Sequence, residues 1–357
     1  MKQQFIQNLQ RVVFLFLLSS SVASAQTEDY YASPQLYGKF TFIGDLFYFT
    51  YDHSLLVTDA NNPNSPATTL FSTLEFPQGL AVYNNEMYIP GYLSGSIQKF
   101  SLNDAVPTLT NVANLTSVGN YPAHMLVVGH DLYVSQFFGD KICRLNLDSA
   151  LPITPESIIT TNIDGPNGLL EVGDYIYVCI SQSNKIIRFK PTNPAGTVEN
   201  VITTGLNWPH SLVKVGNDIL VSCMDGNKIV RFNYTDTNPQ VTTVLTLDKP
   251  TFIELRNGWL YTFLRDAKKI VGIATANLST DSLTLTPQVL LYPNPAQEAI
   301  SITNCAEGLS AAIFTAEGKL VTSFTTAENL SIPVTNLANG AYFIKIDGKP
   351  TLRFLKN

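Results

Sequence analysis

Residues 166–189 read PNGLLEVGDYIYVCISQSNKIIRF, and this pattern recurs along the chain. Leu169 lies three positions after Pro166, Tyr177 lies eleven positions after it, and Ile186 follows nine positions further on. Apolar or aromatic residues occupy the same three offsets after four other prolines: Pro77, Pro122, Pro209 and Pro250. By subtraction, consecutive prolines are 41 to 45 residues apart, so the chain contains five copies of one structural unit.

Each copy reads as four short strands. Residues that tolerate the positive φ of tight hairpins separate the first strand from the second: Asn84-Asn85, Gly129-His130, Gly173-Asp174, Gly216-Asn217 and Asn257-Gly258. A second turn is clearest at Gly139-Asp140, Ser183-Asn184 and Gly226-Asn227. A variable outer strand, such as residues 197–203 or 241–247, completes the unit. Four-stranded repeats of this length predict the blades of a β-propeller.

The register also extends backwards to a degenerate first copy that begins near Tyr37. Terminal repeats are expected to be atypical, because ring closure makes demands that inner copies do not face. Two segments are candidates for the closing strand: one around Asp29 to Ser33, and residues 283–288. We therefore predict an all-β protein in which residues 26–288 form a six-bladed β-propeller.

The first 25 residues predict a signal peptide. Lys2 and Arg11 precede an apolar run at residues 12–18, and Ala23-Ser24-Ala25 offers small residues for cleavage. The apolar run is too short to span a bilayer, and no later stretch is a candidate, so we predict no transmembrane segment. The expected route is export through the periplasm.

Charge and cysteine content narrow the functional classes. The net charge is −6 and no cluster of Lys and Arg is present, which argues against a nucleic-acid partner. The spacing of the four cysteines, Cys143, Cys179, Cys223 and Cys305, does not match a metal site. We expect them to be buried free thiols.

The final segment, residues 289–357, predicts a separate module. Apolar residues alternate with polar ones over six short stretches, at residues 300–302, 311–315, 320–324, 330–334, 342–346 and 352–355. This pattern is typical of a small immunoglobulin-like β-sandwich.

The tail resembles the type A C-terminal sorting domain of the type IX secretion system of Bacteroidota. The resemblance depends on YPNP at 292–295, IFTAEGKLV at 313–321, LANGAYFIKI at 337–346 and RFLK at 353–356. It implies that the secretion machinery is a partner through residues 289–357. It also implies that the protein is secreted or held at the cell surface.

The repeats resemble the NHL family and its six-bladed relatives, the gluconolactonase-like hydrolases and the streptogramin lyases. The motif is best seen in Pro166-Asn167-Gly168-Leu169, followed by Tyr177-Val178 and by IIRF at 186–189. The resemblance implies the fold, and it leaves the function open, because one fold hosts many activities.

Propeller topology predicts the position of a binding site. The inner strands would begin at the central channel, and the loops between second and third strands would lie on the same face. The candidate ligand-binding residues there are Gln78, Tyr92, His124, Gln136, Phe137, Asn167, Gln182, His210 and Arg265. Polar groups with aromatic neighbours suit a glycan, a small molecule or a protein ligand.

Two functions remain open from the sequence. His124 and His210 could bind a transition metal or act as acid and base, as in an extracellular metal-dependent hydrolase or lyase. However, no Asp or Glu occupies the twelve positions where the inner strands begin, whereas Ca²⁺ needs several oxygen ligands. We therefore favour a binding or interaction module, and we assign no catalytic residue, metal or cofactor.

Overall fold

The computed structural model describes residues 27–32, 38–116, 121–278, 290–292, 296–303, 307–316, 318–327, 330–347 and 352–356. Within these ranges the chain forms β-strands and two short 3₁₀ turns, Ala195–Thr197 and Thr275–Leu278. None of its described helical segments is long and apolar enough to cross a bilayer. The predicted signal peptide, Tyr37, residues 283–288 and Cys305 lie outside the described residues.

The described residues between 27 and 274 contribute 24 strands to six four-stranded antiparallel sheets. The first described strand is β1 (Thr27–Ala32). Blade 1 contains β2 (Phe40–Ile43), β3 (Leu46–Tyr51), β4 (Ser54–Asp59) and β5 (Thr68–Phe71). Blade 2 contains β6 (Ala81–Tyr83), β7 (Glu86–Pro90), β8 (Ser96–Ser101) and β9 (Thr110–Asn114). Blade 3 contains β10 (Pro122–Val128), β11 (Asp131–Gln136), β12 (Lys141–Asn146) and β13 (Glu156–Ile159).

The remaining blades follow the same plan. Blade 4 contains β14 (Pro166–Val172), β15 (Tyr175–Ile180), β16 (Lys185–Phe189) and β17 (Glu199–Ile202). Blade 5 contains β18 (Pro209–Val215), β19 (Asp218–Cys223), β20 (Lys228–Asn233) and β21 (Thr242–Thr246). Blade 6 contains β22 (Pro250–Arg256), β23 (Trp259–Leu264) and β24 (Lys269–Ala274), with β1 as its fourth strand.

The six sheets form a closed ring. The first strands of consecutive blades contact one another from β6 to β22, and β22 contacts β2 of blade 1. The strand that begins at or just after each proline is therefore the innermost one, as the sequence predicts. The all-β, six-bladed propeller is confirmed, and the starts of its inner strands lie at the central channel.

The N-terminal strand closes the ring. β1 pairs antiparallel with β24, from Thr27 opposite Ile273 to Ala32 opposite Lys269. The ring of Tyr30 packs edge-on against Phe47 and Tyr261, with centroids 5.5 and 4.7 Å apart. Blade 6 thus joins both ends of the propeller, and the first of the two candidate segments is the closing strand.

The repeated anchors form the core between the blades. The anchor side chains Tyr133, Tyr177, Ile142 and Ile186 are at most 1% exposed. Burying an aromatic or aliphatic side chain of this size contributes about 1.5–3 kcal/mol each. Cys143, Cys179 and Cys223 are buried free thiols, as predicted.

The second turn of a blade holds the next blade in place. Asp140, Asn184 and Asn227 have φ near +50°, a conformation that Asn and Asp tolerate better than other side chains. Each side-chain oxygen accepts a hydrogen bond from the backbone N–H of the residue before the next repeat proline. The distances are 2.8 Å for Gly165, 2.7 Å for Trp208 and 3.1 Å for Lys249. The turn residues that mark the repeat in the sequence therefore also join neighbouring blades at the channel face.

Basic residues on the third strands pair with acids of the same blade. Examples are Lys99 with Glu86 at 2.6 Å, Arg144 with Glu156 at 2.6 Å and Arg188 with Glu199 at 2.7 Å. Exposed pairs of this kind contribute about 0–1 kcal/mol each. Each of these three pairs therefore lies within a single sheet.

The tail forms two sheets that enclose their own core. One contains β25 (Leu290–Tyr292), β26 (Ala299–Thr303) and β29 (Leu330–Pro333). The other contains β27 (Ser310–Thr315), β28 (Leu320–Thr325), β30 (Gly340–Ile346) and β31 (Leu352–Lys356). Ile300, Ile313, Ile344 and Phe354 are at most 1% exposed between them. All six predicted strands are present, and β25 is an additional one.

Candidate functional site

A cavity of about 220 Å³ opens where the inner strands begin. Its polar lining consists of Gln78, Asn167, His210, Thr251 and Arg265. Its apolar side chains are Tyr92, Phe137, Trp208, Met224, Phe252 and Phe263. The backbone at Gly38 and the methyl group of Ala123 complete it. Residues from all six blades therefore meet at one site.

Six of the nine predicted binding residues line this cavity: Gln78, Tyr92, Phe137, Asn167, His210 and Arg265. His124 does not, because it occupies the position equivalent to Ser211, one residue further along the inner strand than His210. It is 8% exposed, and its Nδ1 accepts a hydrogen bond from the Leu169 N–H at 3.4 Å. The two histidines therefore have different surroundings, although the sequence analysis grouped them.

The other two predicted residues also lie away from the cavity. Gln136 is fully buried at the end of β11, opposite Pro122. Gln182 is exposed and lies against Gly165. A Cβ atom added to Gly165 would be 2.7 Å from Cγ of Gln182. Their loops lie near the channel face as predicted, but neither side chain reaches the cavity.

The residue before each repeat proline has a positive φ. The values are +51° for Phe76, +68° for Tyr121, +65° for Gly165, +55° for Trp208 and +44° for Lys249. A bulky residue in this region is unusual, and each such conformation costs of the order of 1–3 kcal/mol. It persists here because the carbonyl groups of the last four accept hydrogen bonds from the loop between second and third strands, at 2.9–3.1 Å.

This conformation presents aromatic side chains at the channel mouth. Centroids are 5.4 Å apart for Tyr92 and Tyr121, 5.2 Å for Tyr121 and Phe138, and 4.8 Å for Phe138 and Phe137. Trp208 continues the series, with its ring 6.0 Å from that of Phe137. These five residues, which we call the aromatic arc, form a series of ring contacts, and three of them, Tyr92, Phe137 and Trp208, line the cavity.

Trp208, Met224 and Phe263 are lining residues that the sequence analysis missed. A residue before a proline is expected to be extended, and that expectation does not place the Trp208 side chain at the channel. The signal that could have found it is the aromatic residue directly before three of the five repeat prolines, Phe76, Tyr121 and Trp208.

Positive charge lies at and below the cavity. Arg265 is half-exposed at the rim, where its Nε donates to Asp266 Oδ1 at 3.2 Å. Lys39 is buried in the channel, 3.4 Å from Glu254 Oε2 and 5.8 Å from the centre of the Phe252 ring. No carboxylate is among the described residues that line the cavity.

The two histidines are neutral at pH 7. Burial, together with smaller contributions from the charges of Lys39 and Arg265, lowers the pKa of His210 to about 3. Burial also holds the pKa of His124 well below 6.5, with smaller contributions from Lys39 and His210. Each ring therefore offers one N–H donor and one nitrogen acceptor. The buried Nδ1 of His210 has no hydrogen-bond partner among the described residues.

We predict that acid destabilises the propeller through His210. Because its pKa is depressed in the fold, the unfolded chain binds more protons between pH 6.5 and about pH 3, so stability falls as the pH decreases through that window. His210→Gln should show a smaller fall in Tm than the parent over this range. Phe252→Leu, which changes packing beside His210 without a titrating group, should lower Tm similarly at every pH. Parallel curves for His210→Gln and the parent would contradict the prediction.

Among the described residues, no group of three His, Cys, Asp or Glu side chains is placed to hold a metal ion. His124 and His210 are near enough for one to affect the pKa of the other. Two neutral imidazoles and no adjacent carboxylate form an incomplete ligand set by the usual standards of protein metal sites. The chemistry that this arrangement offers is hydrogen bonding, stacking and one guanidinium charge.

The tail matches a known domain family. Residues 290–354 match the model described as the secretion system C-terminal sorting domain. This confirms the resemblance seen in the sequence, and the protein is accordingly exported to the cell surface or secreted. No match is found among curated protein sequences.

The propeller is similar to several solved structures. A proposed gluconolactonase is 12% identical, with 74% of this chain and 95% of that chain covered and a TM-score of 0.57. The nidogen/laminin complex contains a chain that is 13% identical, with coverages of 66% and 91% and a TM-score of 0.56. A catalytically inactive virginiamycin B lyase from Staphylococcus aureus, with quinupristin, is 18% identical, with coverages of 66% and 79% and a TM-score of 0.52. At these identities the similarity shows the fold alone.

Proposed function

We propose that this protein is an exported binding module whose ligand occupies the cavity at the channel face. The full chain would comprise a signal peptide at residues 1–25, an NHL-type propeller at 26–288 and the sorting domain at 289–357. The sorting domain would engage the type IX secretion machinery of a member of the Bacteroidota and bring the protein through the periplasm to the cell surface.

The cavity is the observation that carries this proposal. It combines aromatic walls with a few convergent polar groups, which is the usual composition of a small-molecule or glycan site. Asn167 is 5% exposed, and the buried Nδ1 of His210 has no partner among the described residues. Gln78, Asn167 and His210 line the cavity, so their side chains can contact a ligand there.

The lining favours binding over metal-dependent catalysis. Hydrolases that use Ca²⁺ need several carboxylate or carbonyl oxygens around the ion. The acids that directly follow the lining residues Met224 and Arg265 have other partners: Asp225 accepts from Lys249 at 2.7 Å, and Asp266 accepts from Arg265 at 3.2 Å. The lining offers a ligand amides, an imidazole, a hydroxyl group, one guanidinium and aromatic rings.

The two tryptophans of the chain provide a direct test. Trp208 lines the cavity, whereas Trp259 follows the hairpin turn Asn257-Gly258 at the opposite face. In Trp259→Phe the only indole is in the cavity, so glycans or metabolites that bind there should change its fluorescence. In Trp208→Phe the same compounds should leave the Trp259 emission unchanged.

The affinity should depend on the cavity side chains. Trp208→Ala should weaken binding by about tenfold or more, as expected for an aromatic residue central to a site, and Trp259→Ala is the matched control. Two results would overturn the proposal. One is a set of ligands that bind equally well to the parent and Trp208→Ala. The other is a stoichiometric metal in the purified protein that both His124→Ala and His210→Ala abolish, which would favour a hydrolase or lyase.

A further inference from the structure

The cavity combines three kinds of group that no single neutral ligand would use fully. They are the guanidinium of Arg265 at the rim, the hydrogen-bonding groups of Gln78, Asn167 and His210, and the aromatic arc. A ligand class that fits all three kinds of group would specify the ligand of the proposed binding module, so this inference rests on the proposed function.

The charge at the rim favours an anion. Nε of Arg265 donates to its neighbour Asp266 at 3.2 Å, and Nη1 contacts the sulfur of Met224 at 3.4 Å, which is a weak acceptor. The described residues provide no acceptor for Nη2. A half-exposed pair between adjacent residues is weak, so a ligand carboxylate can compete for this guanidinium. Planar guanidinium groups bind carboxylates through two parallel hydrogen bonds.

The amides and the imidazole favour hydroxyl groups. Gln78 and Asn167 each carry a donor and an acceptor, and neutral His210 carries one of each. A hydroxyl group is also both donor and acceptor, so it can satisfy either end of an amide. His210 lines the cavity together with both amides, so such a group can contact all three side chains.

The aromatic arc favours a ring with an apolar face. Tyr92, Phe137 and Trp208 line the cavity, and Phe138 is 60% exposed beyond it. Aromatic side chains provide large, rigid apolar surfaces, and those with exposed faces commonly mark binding sites. A volume of about 220 Å³ accommodates a single six-membered sugar ring, and the outer part of the arc can contact further rings.

We propose that the cavity binds a sugar ring that bears a carboxylate, as in the uronic acid units of an acidic polysaccharide. The carboxylate pairs with Arg265, ring hydroxyl groups bond to Asn167, Gln78 and His210, and the apolar face of the ring stacks on Trp208 or Phe137. Neighbouring sugars lie along Phe138 and Tyr121.

Galacturonic acid oligomers and their methyl esters form a matched pair of probes for the full exported chain. The ester keeps the ring and hydroxyl groups, removes the charge and adds one methyl group. We expect the acidic oligomers to change Trp208 fluorescence in the Trp259→Phe background, and the methyl esters to bind about tenfold more weakly or worse.

Variants at one turn separate specific pairing from general charge attraction. Arg265→Gln should weaken binding of the acidic oligomers about tenfold and leave binding of the esters unchanged. Lys268→Gln removes the same charge from the same turn outside the cavity and should change the affinity less than twofold, as expected for screened surface charge.

The outcomes distinguish this inference from the proposed function. If neutral oligosaccharides or other compounds change Trp208 fluorescence and the acidic oligomers do not, the carboxylated ligand class is wrong and the cavity remains a binding site. Equal affinity of the acidic oligomers for the parent and Arg265→Gln overturns the inference as well. If acidic oligomers bind with no dependence on Trp208, both the inference and the proposed function are wrong.

Discussion

Removal of residues 27–32 is expected to open the propeller and to prevent it from folding stably. β1 is the fourth strand of blade 6, so its loss exposes the edge of β24 and the aromatic residues that Tyr30 covers. An unpaired edge strand beside exposed aromatic surface promotes aggregation. We expect the deletion variant to be insoluble or to unfold at a much lower temperature than the parent.

Tyr30→Ala tests the same closure without a deletion. Tyr30 packs against Phe42, Phe47 and Tyr261, and its hydroxyl donates to the Ala60 carbonyl at 2.6 Å. Large-to-small changes of buried aromatic residues cost about 3–5 kcal/mol, and we expect the lower end of that range because Tyr30 is only partly buried. Tyr30→Phe should cost about 1 kcal/mol for the lost hydrogen bond.

Asp29→Asn is the control within the same strand. Asp29 pairs with Lys269 at 2.7 Å, but its side chain is 66% exposed, so the change should cost less than about 1 kcal/mol. Chemical denaturation of the four variants and the parent measures these differences. An unchanged unfolding midpoint for the deletion or for Tyr30→Ala would show that β1 does not close the ring.

Deletion of residues 289–357 is expected to abolish delivery to the cell surface. The matched sorting domain occupies residues 290–354, whereas the described strands of the propeller end at Ala274. The truncated protein should therefore fold and accumulate in the periplasm. Fractionation of the producing cells, with protease treatment of intact cells, measures the surface-exposed fraction.

A substitution inside the tail provides a sharper form of this test. Ile344 is fully buried between the two sheets of the tail, so Ile344→Asp places an unpaired charge in its core and costs several kcal/mol. Leu320→Asp makes the same kind of change at a residue that is 54% exposed. We expect the first variant to remain in the periplasm and the second to reach the surface. Normal surface delivery of the truncated protein would contradict the role assigned to the tail.

The architecture could be predicted from the sequence because it depends on local, repeated signals. Turn residues such as Asn84-Asn85 or Gly173 report their own backbone conformation, and the anchors at Tyr177 and Ile186 report burial through their spacing. Repetition makes each copy evidence for the others. The closing strand lacks these signals, since Thr27–Ala32 belongs to no repeat and pairs with residues 269–273 at the far end of the propeller.

The position of the site could be predicted from the sequence, but not all of its lining residues could. Topology places the inner-strand starts at one channel face, and six of nine predicted residues meet there. Side-chain direction depends on details that a repeat pattern does not carry. His124 lies two positions after Pro122, whereas His210 lies one position after Pro209, and the strand pairing shifts at this point in both blades. The simple alternation of side chains along a strand therefore does not predict that His124 is buried while His210 lines the cavity. The positive φ of Trp208 could not be predicted either, because residues before proline usually adopt an extended conformation.

A crystal structure of the exported protein soaked with the tightest-binding oligosaccharide tests the central claim most directly. We predict electron density for a sugar ring in the cavity, with a carboxylate beside Arg265, a hydroxyl group bonded to Asn167 and the ring against Trp208 or Phe137. Density on the outer wall of the blades or on the tail, with the channel-face cavity empty, would contradict the account.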